Sequence, residues 1–393
     1  MKKQSFLVLL LCSLALTACG GSSEAKKSET PKSSDSSSVP SSSIDNRQAL
    51  EVDEDLGEFD IHTELMNDYL DDTWDSIKTY VPTVNAEDSS YHNDQSQPLP
   101  VELDFDELED ASKYYVEVSK DLYFDNTKVY ESSTKKYNFY NGEIGQQYYV
   151  RAAASQEDLA DASVKAFSIK DVTPRYIHVD GVINFRDCGG WESSLVDGAK
   201  IKQGLYYRCA QFNSITADGK AAMKDLGIKL DIDMRDRPPS TSPASSSDWE
   251  IEIMNAAVAS GTESTRWEGS GTIAATYKKI FEAIAVADEK PIALHCTHGA
   301  DRTGIVSWFL LGLLGVAKDD CARDYVMTRF AGERAVLPSG SNSEIEKWNS
   351  KTEAVEGDTW AEKTYNHLVS FGIEEDTLET IREKFIPGYV RAA

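Results

Sequence analysis

Between about Thr79 and Ile169 apolar and polar side chains alternate with a period of two, as on strands that bury one face. The alternation runs through Leu99-Pro-Val-Glu-Leu-Asp-Phe105, Tyr114-Tyr-Val-Glu-Val118, Lys128-Val-Tyr130, Lys136-Tyr-Asn-Phe-Tyr140, Tyr148-Tyr-Val-Arg-Ala-Ala153 and Val164-Lys-Ala-Phe-Ser-Ile169. Asn141-Gly142 and Ile144-Gly145 are turn signals between them. Short strands at regular spacing predict a small all-β antiparallel sandwich over residues 76–171. Ahead of it, residues 46–75 are acidic with scattered apolar positions (Leu50, Leu56, Phe59, Ile61, Leu65, Leu70), to which no role is assigned.

From about Val172 the pattern changes. Short apolar strands are predicted at Gly181–Phe185, Gly204–Arg208, Lys229–Met234, Glu250–Met254 and Pro291–Leu294, with helical stretches at Ala217–Leu226 and Thr272–Ala287. Strands alternating with helices predict an α/β domain over residues 172–393, a central mostly parallel sheet flanked by helices. The strand order of the sandwich, with Ile144-Gly145-Gln-Gln-Tyr148-Tyr-Val-Arg-Ala as turn and aromatic strand, resembles a fibronectin type III module. Phe105 stands where that family usually carries a core tryptophan. The expected role is a spacer.

Lys2 and Lys3 open the chain ahead of a short apolar stretch, Phe6–Leu16. It is too short to span a bilayer and reads as a signal peptide, residues 1–18. Leu16-Thr17-Ala18-Cys19 resembles the lipobox of bacterial lipoproteins, which implies lipidation of Cys19. Two acyl chains anchor a protein stably where one does not. Residues 19–45 are then a Ser-rich flexible linker, with a root-mean-square reach of roughly 30 Å. The expected location is the extracellular face of a bacterial cell membrane, and the Ser-rich tether suits a Gram-positive one.

Composition narrows the partners. Acidic side chains outnumber basic ones 66 to 40, for a formal charge of -26, which repels a nucleic-acid backbone, so no nucleic acid is expected as a partner. Six cysteines in 393 residues do not make a disulfide scaffold.

The candidate chemistry lies in His295-Cys-Thr-His-Gly-Ala-Asp-Arg-Thr-Gly304. An apolar strand precedes it, and Ile305–Leu314 after it is apolar all round, as a buried helix is. In a strand–loop–helix layout the loop amides (Thr297, His298, Gly299, Ala300, Asp301, Arg302) converge on one point and the helix N-terminus adds positive potential. That geometry holds an oxyanion. Cys296 in such a field is expected as the thiolate nucleophile. Arg302 can grip two phosphate oxygens bidentately, and the Thr303 hydroxyl can bond to the sulfur.

The same string resembles the cysteine-dependent phosphatases, with their His-Cys-x5-Arg-Ser/Thr loop. It is most similar to the bacterial branch called tyrosine phosphatase family 3. Asn184-Phe-Arg-Asp-Cys-Gly-Gly190, Leu205-Tyr-Tyr-Arg-Cys-Ala210, Leu226-Gly-Ile-Lys-Leu-Asp-Ile-Asp-Met-Arg235, Leu314-Gly-Val316 and Asp324-Tyr325 agree with that family's other motifs. The resemblance implies metal-free hydrolysis of phosphate monoesters through a phosphocysteine, with no cofactor. Asp301 is then the favoured general acid, with Asp236 and Asp248 as alternatives flanking a loop over Arg237–Ser247 that could close as a lid. His295, Arg186 and Asp187 are expected to support the loop, Asp187 by orienting it through hydrogen bonds.

Three departures from the family pattern carry weight. Ala300 replaces a lysine associated with highly charged substrates such as phosphoinositides, which favours a phosphorylated protein or a small phosphate monoester. His298 sits at a commonly small position and either lines the pocket mouth or is inert. Cys188 and Cys209 replace Leu and Ser; a disulfide between them and two buried free thiols are both open. Cys321 reads as core. The expected function is a surface-anchored phosphatase acting on phosphotyrosine in proteins. An inositol-phosphate or phosphoinositide phosphatase is the alternative within the enzymes, and a phosphate-binding pseudophosphatase the alternative outside them.

Overall fold

The computed structural model describes residues 50–79, 95–108, 111–236, 243, 246, 248–258, 271–332, 337, 339, 340 and 343–391. The signal peptide, Cys19 and the linker lie outside the described residues, as does most of the 237–247 loop.

Period-two alternation becomes strand at each place it occurs. β2 (Val101–Asp104), β3 (Tyr114–Ser119), β4 (Val129–Ser132), β5 (Lys136–Phe139), β6 (Gln147–Ala153) and β7 (Lys165–Ile169) form two sheets. β7, β6, β3 and β4 pair antiparallel in that order, and β2 pairs with β5 antiparallel. Their inward residues, among them Val101, Leu103, Val116, Val150 and Phe167, close one apolar core.

The acidic stretch before them is ordered, which its composition conceals. Glu54–Phe59 is β1, added in parallel to the edge of β7. Glu64–Asp71 is α1, capped by the Thr63 hydroxyl, and Trp74–Thr79 is α2. Met66, Tyr69, Trp74 and Ile77 do not join the sandwich; they are buried in the larger core of the C-terminal part. A short amphipathic segment with few apolar positions takes its face from whichever core it meets, so sequence alone does not place it.

In the C-terminal part, β8 (Arg186–Asp187), β9 (Tyr206–Cys209), β10 (Leu230–Asp233), β11 (Glu252–Asn255) and β12 (Ile292–His295) form a sheet in the order β11-β10-β12-β9-β8. β9 to β12 are parallel and β8 runs antiparallel to β9. The strand expected at Gly181–Phe185 is absent; Val182 makes a single bridge to Val179, and the pairing begins at Arg186. One face of the sheet packs on α3 (Ala217–Asp225), where Met223 is buried with Tyr207, Cys209 and Ala293. The other face carries α4 (Thr272–Ile284), α5 (Asp301–Leu313), α6 (Lys318–Val326), α7 (Glu344–Glu353), α8 (Trp360–Ser370) and α9 (Glu375–Phe385). In α5 every residue from Arg302 to Leu313 is buried, as its all-round apolar pattern predicts.

The sandwich and the α/β part meet through polar groups at the expected turn. The Asn141 side chain brackets the His178 backbone, donating to its oxygen at 2.9 Å and accepting from its nitrogen at 2.7 Å. Arg175 donates to the carbonyls of Gly142 and Asn141. A Cβ on Gly142 would meet the Ile169 methyl at 2.2 Å and the Phe139 ring at 2.8 Å, so both side chains would have to shift to admit one. Residues 50–393 form one compact unit.

Tyr69 tests whether α1 belongs to the C-terminal core. It is fully buried, meets Phe330 edge-on at 5.3 Å and donates to the Arg323 carbonyl at 3.0 Å. Tyr69→Ala is expected to cost about 3–5 kcal/mol, as aromatic truncations in cores do. Urea unfolding with unchanged slope and a lowered midpoint is the expected result; an unmoved midpoint would detach α1 from this core.

Candidate active site

The loop between β12 and α5 is shaped by what its carbonyls bind. The Cys296 oxygen accepts from His295 Nδ1 at 3.0 Å, and the Thr297 oxygen accepts from the Gln211 amide at 3.2 Å. The His298 oxygen accepts from Asn184 Nδ2 at 3.0 Å, and the Gly299 oxygen from an Arg208 guanidinium nitrogen at 2.8 Å. Four consecutive carbonyls are therefore tied outward. A trans peptide places each C=O opposite the next N–H. The amides of Thr297, His298, Gly299 and Ala300 are thus turned inward, toward the hollow above Cys296. Such a ring of amides binds an anion. Gly299 adopts φ +67, and a Cβ there would meet the Cys209 carbonyl oxygen at 2.4 Å, so only glycine fits the bend.

Two buried arginines hold this arrangement from below. Arg186 and Arg208 both bind Asp324 of α6, one on each carboxylate oxygen. Arg186 also donates to Asn184 Oδ1, which orients the Asn184 amide at the His298 oxygen. Burial pushes the Asp324 carboxyl up, but the two guanidinium groups outweigh it and keep the group below the usual carboxylate range.

Cys296 sits at the base of the hollow, 4% exposed. Burial alone raises its pKa. The Thr303 hydroxyl, the Arg302 guanidinium and the amides of Thr303 and His298 overcome that and bring it below the usual thiol value. Thr303 is fully buried in the first turn of α5, beside that sulfur. Arg302 is fixed over the loop by bonds to the Met234 and Val258 carbonyls and to the Thr297 hydroxyl. His295 is fully buried. Desolvation lowers its pKa, but Asp231, 3.0 Å from Nε2, and Asp233 beyond it more than compensate and raise it. Nδ1 makes the ring's hydrogen bond, to the Cys296 carbonyl, and the Asp231 carboxylate stands beside Nε2 as an ion-pair partner.

Cys296, Arg302, Thr303 and His295 are brought together as the sequence predicts. Asp301 opens α5 half-buried, with Oδ1 accepting from Tyr325 at 2.7 Å. Burial and that carboxylate raise the Tyr325 pKa, so the phenol remains the donor. Asp236 is exposed just beyond β10. Asp248 is spent in a surface ion pair with Lys220 on α3, which lowers its pKa and makes it a poor acid near neutrality. Asp187 does not orient the catalytic loop. It is fully buried, and its carboxylate binds Arg175 and the amides of Gly189 and Gly204.

The bridge between Cys188 and Cys209 does not form: both thiols are free. Cys188 lies opposite Tyr206 in the core on one sheet face, while Cys209 packs with Tyr207 on the other, as strand alternation dictates. Asn184, Arg208, Asp324 and Tyr325 lie in stretches already quoted as motifs, but their functions depend on long-range partners that spacing does not reveal. Asp231 carried no signal beyond being a carboxylate inside an apolar strand.

A cysteine held below its normal pKa under an arginine and a ring of amides defines a site for attack on a phosphate ester. The tyrosine phosphatase family matches this chain over residues 177–392, more than half its length, and the chain belongs to that family. A tyrosine-protein phosphatase of Nostoc commune is 27% identical over 148 residues, covering 33% of this chain and 49% of its own. The chain thus spans about half the length of that relative. Among solved structures, TpbA of P. aeruginosa is 14% identical over 45% of this chain and 97% of its own, with a TM-score of 0.30. A variant of that protein in complex with pTyr gives 15% and 0.26, over 42% and 96%.

Removal of the Thr303 hydroxyl tests the thiolate. The thiolate is present above the folded-state pKa and disappears as pH falls through it. Thr303→Val is expected to move the midpoint of Cys296 alkylation by iodoacetamide upward by about one pH unit. An unmoved profile would disconnect the hydroxyl from the sulfur. Asp324→Ala leaves two buried guanidinium groups without their carboxylate and is expected to cost about 3–5 kcal/mol in urea unfolding. A cost under about 1 kcal/mol would mean that the pair is solvated.

Proposed function

We propose that this chain is a surface-anchored phosphatase that hydrolyses phosphate monoesters, phosphotyrosine in proteins foremost, through a phosphocysteine intermediate. The observation that carries the reading is the geometry: the buried Cys296 thiol lies at the centre of inward-turned amides, with Arg302 held beside it by the Met234 and Val258 carbonyls. A site that only bound phosphate would have no use for a stabilised thiolate.

In this mechanism the Cys296 sulfur forms a bond to phosphorus as the ester P–O bond breaks. Arg302 and the loop amides hold the three transferring oxygens, whose charge peaks in the transition state. The leaving oxygen takes a proton from Asp301, whose Oδ1 is anchored by Tyr325 and whose Oδ2 is left to carry the proton. Water then attacks phosphorus, Asp301 accepts its proton, and the sulfur departs as thiolate to the Thr303 hydroxyl. Asp301 fits this role better than Asp248, which Lys220 holds ionised.

The lipid anchor at Cys19 and the extracellular location rest on the N-terminal pattern alone. The sandwich is read as a fibronectin type III-like spacer, supported by β4, β3, β6 and β7 facing β2 and β5.

Turnover of p-nitrophenyl phosphate is expected in EDTA, blocked by vanadate and reduced at least a thousandfold in Cys296→Ser. Activity that survives the substitution overturns the mechanism. In a side-by-side assay, phosphotyrosine peptide should exceed inositol phosphates in kcat/KM, and the reverse order would transfer the reading to inositol phosphates.

A further inference from the structure

β10, the neighbour of the strand that ends at the catalytic loop, buries two carboxylates, Asp231 and Asp233. A carboxylate inside an apolar sheet is costly unless a cation or donors accompany it. Asp233 has Arg235, which grips both carboxylate oxygens at 2.7 to 3.1 Å. Asp231 is 2% exposed and sits between Leu230 and Ile232. Among the described residues the cation within ion-pair distance of it is the His295 ring, with Nε2 3.0 Å from Oδ1. That ring is itself buried, and its Nδ1 donates to the Cys296 carbonyl at 3.0 Å.

We propose that Asp231 is a positioning residue for the phosphoryl transfer: it keeps the His295 ring positively charged, and that charge acts through the Cys296–Thr297 peptide to strengthen the anion-binding amide of Thr297 and the Cys296 thiolate. The proposal rests on the phosphatase reading and deepens it by adding a residue behind the loop.

The path runs through one peptide plane. A charged donor on the Cys296 oxygen draws electrons from the C–N bond, whose partial double-bond character makes the Thr297 N–H more positive. Hydrogen bonds in series polarise one another in this way. A neutral ring would keep the hydrogen bond and lose most of the polarisation. Of the other groups facing the ring, Asp233 on β10 is spent on Arg235. Cys209, the register partner of His295 on β9, has its thiol pushed well above the usual value by burial and stays neutral. Phe212 after β9 stacks on the ring at 4.6 Å, and α3 buries Gly219 and Met223, none of which titrates. Burial alone would lower the pKa of His295, yet Asp231 foremost raises it. The charge is therefore present below the raised value and lost as pH climbs through it.

The sign of the effect separates this role from a structural one. Acting directly on the sulfur, a carboxylate repels its negative charge, and removing that carboxylate would lower the thiol pKa. Acting through the ring, its removal does the opposite.

The test uses the full chain and three readouts that need no turnover. In Asp231→Asn the midpoint of Cys296 alkylation by iodoacetamide is expected to rise by about one pH unit, and the Kd for vanadate to rise about tenfold. His295→Asn, whose amide can still donate to the Cys296 carbonyl without a charge, should do the same. The double variant should go no further than either, because both act through one ring. A midpoint that stays or falls in Asp231→Asn, or a double variant in which the two shifts add, overturns the proposal. The third readout leaves β10 intact. Nitrogen-15 NMR of histidine-labelled protein should show one ring, missing from His295→Asn, that stays protonated on both nitrogens above the range in which ordinary histidines lose their charge. Rings that are all neutral there overturn the proposal even if Asp231→Asn does not fold. Absence of Cys296-dependent turnover in the unaltered chain, with the three readouts as expected, removes the phosphatase reading and leaves Asp231 its part in holding the anion.

Discussion

The catalytic loop exists in its shape because four successive carbonyls find donors behind it. A loop of this length between a strand and a helix has many conformations open to it, and ordering each residue costs about 1–2 kcal/mol. The Arg208 guanidinium, the Asn184 amide, the Gln211 backbone and the His295 ring choose one of them. The inward amides are the other side of the same peptide planes. The electrostatic cradle is thus assembled before any substrate arrives, the condition under which fixed dipoles accelerate a reaction most. It also sits on excess positive charge, since two buried guanidinium groups share the single carboxylate of Asp324.

Three successive residues of α6 connect this loop to the rest of the molecule. Arg323 donates to the carbonyls of Tyr69, Leu70 and Asp72 and so fastens α1. Asp324 holds Arg186 and Arg208, and Tyr325 holds Asp301. Neighbouring helix residues point about 100° apart, so one turn can serve three directions. The acidic stretch that precedes the sandwich in sequence thereby supports the helix that supports the loop. A mutation in α1 would reach the active site through α6 without touching either the loop or the substrate.

The parts legible in the sequence were those whose signal is local. Period-two alternation located β2 to β7, the all-round apolar run located α5, and the string from His295 to Gly304 located the buried cysteine, the arginine and the threonine. The parts that were not legible depend on partners far away in the chain. Residues 181–185 are apolar enough for a strand, yet their backbone bonds singly to Val179, Ala210, Ile177 and the Ser96 hydroxyl instead of forming a ladder. Asp187 sits between motif residues and faces Arg175, not the loop, because alternation on β8 sends it to the face opposite Arg186. The same alternation separates Cys188 from Cys209. Strand parity, once the pairing is known, decides both cases.

The formal charge of -26 stands against a site whose amides suit an anion. The two act on different length scales. Surface carboxylates are screened over about 8 Å at physiological ionic strength, whereas the charges under the loop are buried and act at contact distance. An approaching anion therefore meets weak repulsion outside and strong attraction only within the hollow. A phosphate on an otherwise neutral or apolar carrier loses little on the way in. A carrier with several phosphates is repelled at each of them and is rewarded at one. On the proposed reading, this distribution of charge favours a substrate that carries a single phosphate.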